Sequence, residues 1–128
     1  FEKKYYAVVC GKIAESGRFV DKLLKDSKKN MSFISENGKE CSLEFTRIKT
    51  NDKYSLVSID LETGRSHQIR VQFSHHGFPL YGDQKYNKKA KLHEQIALFA
   101  YSLTFLHPVK REKMTFSVPI PNIFPFNF

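Results

Sequence analysis

The stretch Leu61–Tyr86, LETGRSHQIRVQFSHHGFPLYGDQKY, constrains this chain more than any other part of it. Its first half, Thr63-Gly64-Arg65-Ser66-His67-Gln68-Ile69-Arg70, crowds two arginines, a histidine, a glutamine and two hydroxyls between apolar residues. Core packing has no use for so many polar groups in so short a space, because each needs a partner once it leaves water. Gly77, Pro79 and Gly82 follow and pin the backbone. Donors concentrated beside a fixed turn suit an anionic, planar ligand.

His67–Phe73 reads in two ways. Gln68, Arg70 and Gln72 alternate strictly with Ile69, Val71 and Phe73, which argues for a strand. Ser66 is a good helix N-cap and Gly77 a good C′ residue, and together they bracket an ordinary helix length. The caps favour the helix. Ile69, Phe73 and His76 then share a face, and Arg65 and Arg70 sit near the amino end, where free backbone N–H groups favour anions.

The flanking segments read mainly as strands. Lys4–Gly11 is aromatic and β-branched, and Gly11–Gly17 is a turn region. Phe19–Leu24 is apolar but of undetermined type, Lys25–Asn30 is a polar surface loop, and Met31–Ile34 is a short strand. Asn37-Gly38 marks a tight turn. Cys41–Lys49 alternates with one slip and pairs with Tyr54–Leu61 across Asn51-Asp52-Lys53 as a hairpin. Ile96–Leu106 is a buried strand stopped by His107-Pro108, and Lys113–Val118 is the last strand. Three prolines keep the tail Pro119–Phe128 from being a helix. The expected fold is α+β: a mostly antiparallel, mixed sheet carrying one principal helix, with residues 1–128 as one unit.

The formal net charge of +8, from 21 Lys and Arg against 13 Asp and Glu, favours an anionic partner such as RNA, DNA or a membrane surface. No apolar run approaches the roughly 20 residues that span a bilayer, and no signal peptide is visible. Cys10 and Cys41 are the only cysteines and read as reduced thiols of a cytoplasmic protein. Neither they nor His75, His76, His93 and His107 have metal-ligand spacing, so no metal site is expected. The chain starts at Phe1 without an initiator Met, which suggests a piece of a longer protein.

Thr63–Arg70, with Gly77-Phe78-Pro79, Gly82-Asp83 and Tyr86 after it, closely resembles the central motif of the RluA-type RNA pseudouridine synthases. There Thr-Gly-Arg-Thr/Ser-His-Gln-Ile/Leu-Arg precedes Gly-His-Pro, Gly-Asp and a tyrosine. Lys3–Gly11 resembles the family's Lys-x-Tyr-x-Ala-x-Val-x-Gly strand. Leu98-Phe99-Ala100, Leu106-His107-Pro108 and Met114–Pro119 resemble its later segments, with Phe99 and Phe78 standing where the family often has His.

The resemblance implies an isomerase that converts uridine to pseudouridine in RNA, most often in large-subunit ribosomal RNA and in some members in transfer RNA. It implies no metal or organic cofactor. It places Arg70 beside the catalytic carboxylate, a role that suits a planar, always-charged guanidinium. Tyr6 is matched to the catalytic tyrosine that stacks on the base, and Tyr5 is given a structural place on the other side of the strand. Arg65, Ser66, His67 and Gln68 either contact RNA phosphates or brace the loop; for His67 a hydrogen-bonded structural role is favoured. Lys85 and Lys88, with Lys89 and Lys91, either track the RNA backbone or form a solvated face.

Asp83 reads as a turn residue. The family's nucleophilic aspartate stands in a His-Arg-Leu-Asp segment that these 128 residues do not contain. The expectation is therefore the carboxyl-terminal part of a catalytic domain, inactive alone and completed by an amino-terminal half of the same domain. The alternative is a non-catalytic RNA-binding module.

Overall fold

A computed structural model of the protein describes residues 2–106, 109 and 112–128. It contains β1 (Glu2–Cys10), β2 (Ser16–Asp26), β3 (Met31–Ile34), β4 (Lys39–Thr50), β5 (Tyr54–Leu61), α1 (Gln68–His75), β6 (Leu98–Leu106) and β7 (Lys113–Ser117). The strands form one sheet in the order β3-β2-β4-β5-β1-β6-β7. Every strand pairing in it is antiparallel, so the expected α+β class holds and the sheet is not mixed.

β1 lies inside the sheet between β5 and β6. Its run Ala7-Val8-Val9 is fully buried because both faces of the sheet are covered there. Ala7 and Val9 join Leu43, Phe45, Val57, Ile59, Ile69, Phe73 and Leu80 on one face. Val8 joins Leu56, Ala97 and Phe126 on the other, and Phe126 brings the carboxyl tail into that second core. Successive strand side chains point to opposite faces, so β1 divides its chemistry between two separate environments.

The alternation slip in β4 is a bulge. The β4–β5 register shifts between Arg47 and Lys49, and the extra residue, Ile48, is 43% exposed. Asn51 shapes the β4–β5 turn by accepting the Lys53 and Tyr54 amides on its Oδ1, both at 2.8 Å. The undetermined segment Phe19–Leu24 is the middle of β2, which pairs with β3 on one side and β4 on the other. Asn37-Gly38 therefore does not close a hairpin between neighbouring strands. It carries the chain past Leu23 of β2, which pairs with Ile34 of β3 on one side and Lys39 of β4 on the other, and a Cβ on Gly38 would stand 2.4 Å from the Leu23 carbonyl carbon.

Helix α1 packs on the β2–β3–β4 side of the first face through Ile69 and Phe73. It starts later than expected. His67, not Ser66, is the N-cap, with φ 56° and no side-chain capping bond. The end is as expected: Gly77 has φ 90°, its N–H reaches the Ser74 carbonyl, and the Phe78 N–H reaches the Phe73 carbonyl. That pairing is a Schellman motif, and Phe78 packs back on Phe73's core. His107 and Pro108, expected to end β6, lie outside the described residues. Among the described residues no helix is long and apolar enough to cross a membrane.

Candidate active site

The loop before α1 is held by Gln68, the first helical residue. Its Oε1 accepts the Thr63 hydroxyl at 2.7 Å and the Arg65 amide at 3.0 Å. Its Nε2 donates to the Ser42 carbonyl at 2.9 Å and to Gln72 Oε1 at 3.0 Å. With four bonds made inside the protein and 3% exposure, Gln68 braces the loop and has no capacity left for a phosphate. Gln72 passes the chain on to Asp21 Oδ2 at 2.8 Å, which also meets His76 Nε2 at 2.9 Å. These bonds explain two glutamines on the buried side of the helix. Strict polar–apolar alternation here reflects a helix whose buried face is partly polar.

Arg70, one turn into the helix, binds Asp83 in bidentate fashion: Nε to Oδ2 at 3.0 Å and Nη2 to Oδ1 at 2.7 Å. Asp83 is fully buried and also accepts the Lys85 and Tyr86 amides on Oδ1. The fork-to-fork geometry fixes the plane of the guanidinium. Tyr86 supports it from one side, with its ring 5.1 Å from Arg70 Cζ. The Asp83 bonds also hold the Arg70 pKa above its ordinary value, despite the opposing effect of burial. Asp83 is thus a turn residue and, in addition, the internal carboxylate of Arg70. Sequence spacing carries no sign of that second role, because the pair is made across 13 residues by a loop.

Tyr86 also reaches His67. Its hydroxyl oxygen accepts the Ser32 amide at 2.8 Å and lies 2.7 Å from His67 Nδ1. Burial, then the charges of Arg70 and Lys85, push the His67 pKa below its ordinary value, so the ring is neutral near pH 7.

Arg65, His67, Gln68 and Arg70 line one cleft of about 240 Å³ with Tyr5, Leu61, Ile69 and Leu98. The tyrosine in this cleft is Tyr5. Tyr6, expected there, points to the opposite face, where it stacks on Tyr101 at 3.8 Å between centroids and packs with the Val8 and Leu56 core. The reason is strand alternation: α1 covers the face of Ala7 and Val9, and Tyr5 shares their parity. The Lys-x-Tyr-x-Ala-x-Val-x-Gly spacing, applied to Lys3–Gly11, also falls on Tyr5.

The remaining expected residues sit at the rim or beyond it. Arg65 is exposed, and its Nε donates to the Glu40 carbonyl at 3.3 Å. Ser66 is exposed, and its carbonyl accepts the Ser32 hydroxyl. Lys85 and Lys88 are exposed on the loop after Asp83, outside the cleft. Lys85 Nζ donates to the Asn30 carbonyl at 2.8 Å, which ties that loop to the lysine-rich β2–β3 turn. Of the groups weighed for a metal, Cys10 and Cys41 are free thiols, and burial pushes both above their ordinary pKa. His75 and His76 instead gather with Asp21, their ligand atoms within 4.8 Å of one another.

Residues 1–75 match the family model described as RNA pseudouridylate synthase. An uncharacterised RNA pseudouridine synthase of Bacillus subtilis is 33% identical over 128 residues, covering 94% of this chain and 43% of that protein. The ribosomal large subunit pseudouridine synthase D of Vibrio vulnificus is 30% identical over 136 residues, covering 94% of this chain and 42% of its own length. The chain thus spans less than half of these curated relatives. Among solved structures, human RNA pseudouridylate synthase domain containing 1 superposes with a TM-score of 0.78 at 24% identity, over 95% of this chain and 56% of that one. This last likeness concerns the fold.

Proposed function

This chain belongs to the RNA pseudouridylate synthase family, in its RluA-type branch, and on that premise we propose that it forms part of an enzyme that isomerises uridine to pseudouridine in large-subunit ribosomal RNA. One observation carries the reading: Arg70, locked edge-on by a buried carboxylate, shares a cleft with an aromatic residue of the sheet, Tyr5.

The chemistry breaks a glycosidic C–N bond, turns the base and forms a C–C bond, so the base must first leave its stack at a cost of about a few kcal/mol. Tyr5 offers a π-face for the extruded base and a hydroxyl near the ring edge. Asp83 occupies the Nε–Nη2 edge of Arg70, which leaves Nη1 to hold a second carboxylate ionised and in place. Among the described residues that line the cleft none carries a carboxylate. In this reading the nucleophilic aspartate is supplied by polypeptide outside these 128 residues, and the chain by itself is inactive. Arg65 at the rim and Lys85 and Lys88 on the outer loop supply the charge that attracts the RNA backbone. In this reading Gln68, whose amide makes four bonds inside the protein, braces the loop, and exposed Ser66 offers a hydroxyl to the RNA.

The test is pseudouridine formation on large-subunit ribosomal RNA. The isolated chain should give none, and the full-length protein should be active. In that protein Tyr5→Leu and Arg70→Lys should abolish turnover while Tyr6→Phe keeps it. Activity of the isolated chain, or loss on Tyr6→Phe with retention on Tyr5→Leu, would overturn the assignment.

A further inference from the structure

We propose that His67 is a substrate-positioning hydrogen-bond donor of the cleft, presenting Nε2–H to an oxygen of the bound nucleotide because Tyr86 and the Ser32 amide hold its other nitrogen as an acceptor. The proposal rests on the uridine reading above for its ligand, and on proton counting for its geometry.

The Tyr86 oxygen has one proton and two lone pairs. The Ser32 N–H is a backbone donor and can only donate, so it takes one lone pair. Ser32 is fixed in β3 by its pairing with Lys25. His67 Nδ1 is the other group in contact, at 2.7 Å. If Nδ1 carried a proton, the phenol oxygen would accept twice and its own proton would have no acceptor. If Nδ1 is bare, the phenol donates to it and all three groups are satisfied. A neutral imidazole then carries its proton on Nε2. A second proton on the ring would set donor against donor at Tyr86. Burial and the charges of Arg70, Lys85 and Lys25 oppose it as well, with only Asp83 favouring it.

The backbone aims the ring. His67 adopts φ 56°, ψ 20°, a left-handed conformation that few non-glycine residues take. Such a conformation persists only where surrounding structure enforces it, and it marks candidate functional positions. Here it turns the ring towards Tyr86 and into the wall of the cleft, beside Tyr5, Arg65 and Arg70. Nε2 has no partner among the described residues. The two arginines provide charge, whereas a neutral N–H provides direction: it suits a uracil carbonyl or a non-bridging phosphate oxygen, and it disfavours a group that is itself a donor. Tyr86 therefore does two things, since the ring that supports Arg70 also sets the tautomer of His67.

Long-range proton–nitrogen NMR on the imidazole of His67 reads the tautomer directly. The expected result is Nε2–H in the wild-type chain and a shift towards Nδ1–H in Tyr86→Phe, which keeps the ring and removes the phenol proton. A wild-type Nδ1–H tautomer, or a ratio unmoved by Tyr86→Phe, overturns the proposal. Titration with uridine and with inorganic phosphate separates the two oxygen sources: a shifted Nε2 signal with uridine assigns the base, and one with phosphate alone assigns the backbone. A signal unmoved by both overturns the proposal.

In the full-length protein, His67→Asn keeps an acceptor for Tyr86 but withdraws the donor, with an expected loss of about tenfold in kcat/KM. His67→Gln restores the donor's reach and gives up the Tyr86 contact, so it should be the more active and the less stable of the two. Activity that follows stability in the same order would make His67 a purely structural residue. A wild-type protein that forms no pseudouridine would sink the uridine reading, while the tautomer and titration results would still decide His67.

Discussion

Replacing Asp83 by asparagine tests the internal clamp on Arg70 with one change of atom. Asp83 is fully buried and accepts four hydrogen bonds, two from Arg70 and two from backbone amides. Asparagine keeps an acceptor on one oxygen but turns an NH2 towards an arginine N–H, and it removes the negative charge. One to two charge-assisted bonds are lost, each contributing about 1.5–3 kcal/mol. The Arg70 side chain is 20% exposed, so water restores part of what the guanidinium loses. The net destabilisation should be roughly 2–4 kcal/mol, near the lower end of what breaking a buried ion pair costs. With a urea slope of about 1.5 kcal/mol per molar, the unfolding midpoint falls by roughly 1.3–2.7 M. Far-ultraviolet circular dichroism against urea measures that midpoint. A double-mutant cycle with Arg70→Ala then isolates the pair, and its coupling should exceed about 1 kcal/mol. A midpoint within about 0.3 M of the wild type, or additive effects in the cycle, would refute the clamp.

The depressed pKa of His67 means that the unfolded chain takes up the proton first as pH falls. Its contribution to stability is therefore complete above the unfolded value, about 6.5, and declines below it; thermal unfolding at about pH 7.5 and about pH 5 should show that decline reduced in His67→Asn. Tyr81 donates to Glu94 at 2.7 Å, and that bond, then burial, pushes its pKa up to about 12. The Tyr81 contribution is complete below about pH 10 and is lost as pH rises towards the folded value, so the difference in ultraviolet titration between wild type and Glu94→Gln should show one tyrosine moving from late titration back towards about 10. Gly82→Ala should cost several kcal/mol, about 3 or more, because φ is 73° and a Cβ would stand 2.0 Å from the Gln95 carbonyl oxygen. Gly64→Ala, with nothing within 4 Å, should shift chemical unfolding by no more than about 0.5 kcal/mol.

Local chemistry made much of the molecule readable in advance. The β4–β5 hairpin follows from alternation and an Asn-led turn, and the end of α1 follows from Gly77, because each signal acts within a few residues. Thr63–Arg70 pointed to a polar site for the same reason: buried donors at that density need partners. The start of α1 was less legible, since the left-handed N-cap conformation of His67 is imposed by its surroundings and not by helix propensity.

What the sequence determined by itself was periodicity, turn chemistry and the family pattern of residues that supply a guanidinium, an imidazole and a tyrosine. What tertiary structure decided was which of these groups meet. Tyr5 and Tyr6 are adjacent and chemically identical, and only the face that α1 covers separates the cleft from the opposite core. Asp83 finds Arg70, and Tyr86 finds both His67 and Ser32, across loops whose ends are brought together by the sheet. Such contacts depend on the three-dimensional path of the whole chain, because the bonds that make them join residues with no fixed separation in sequence.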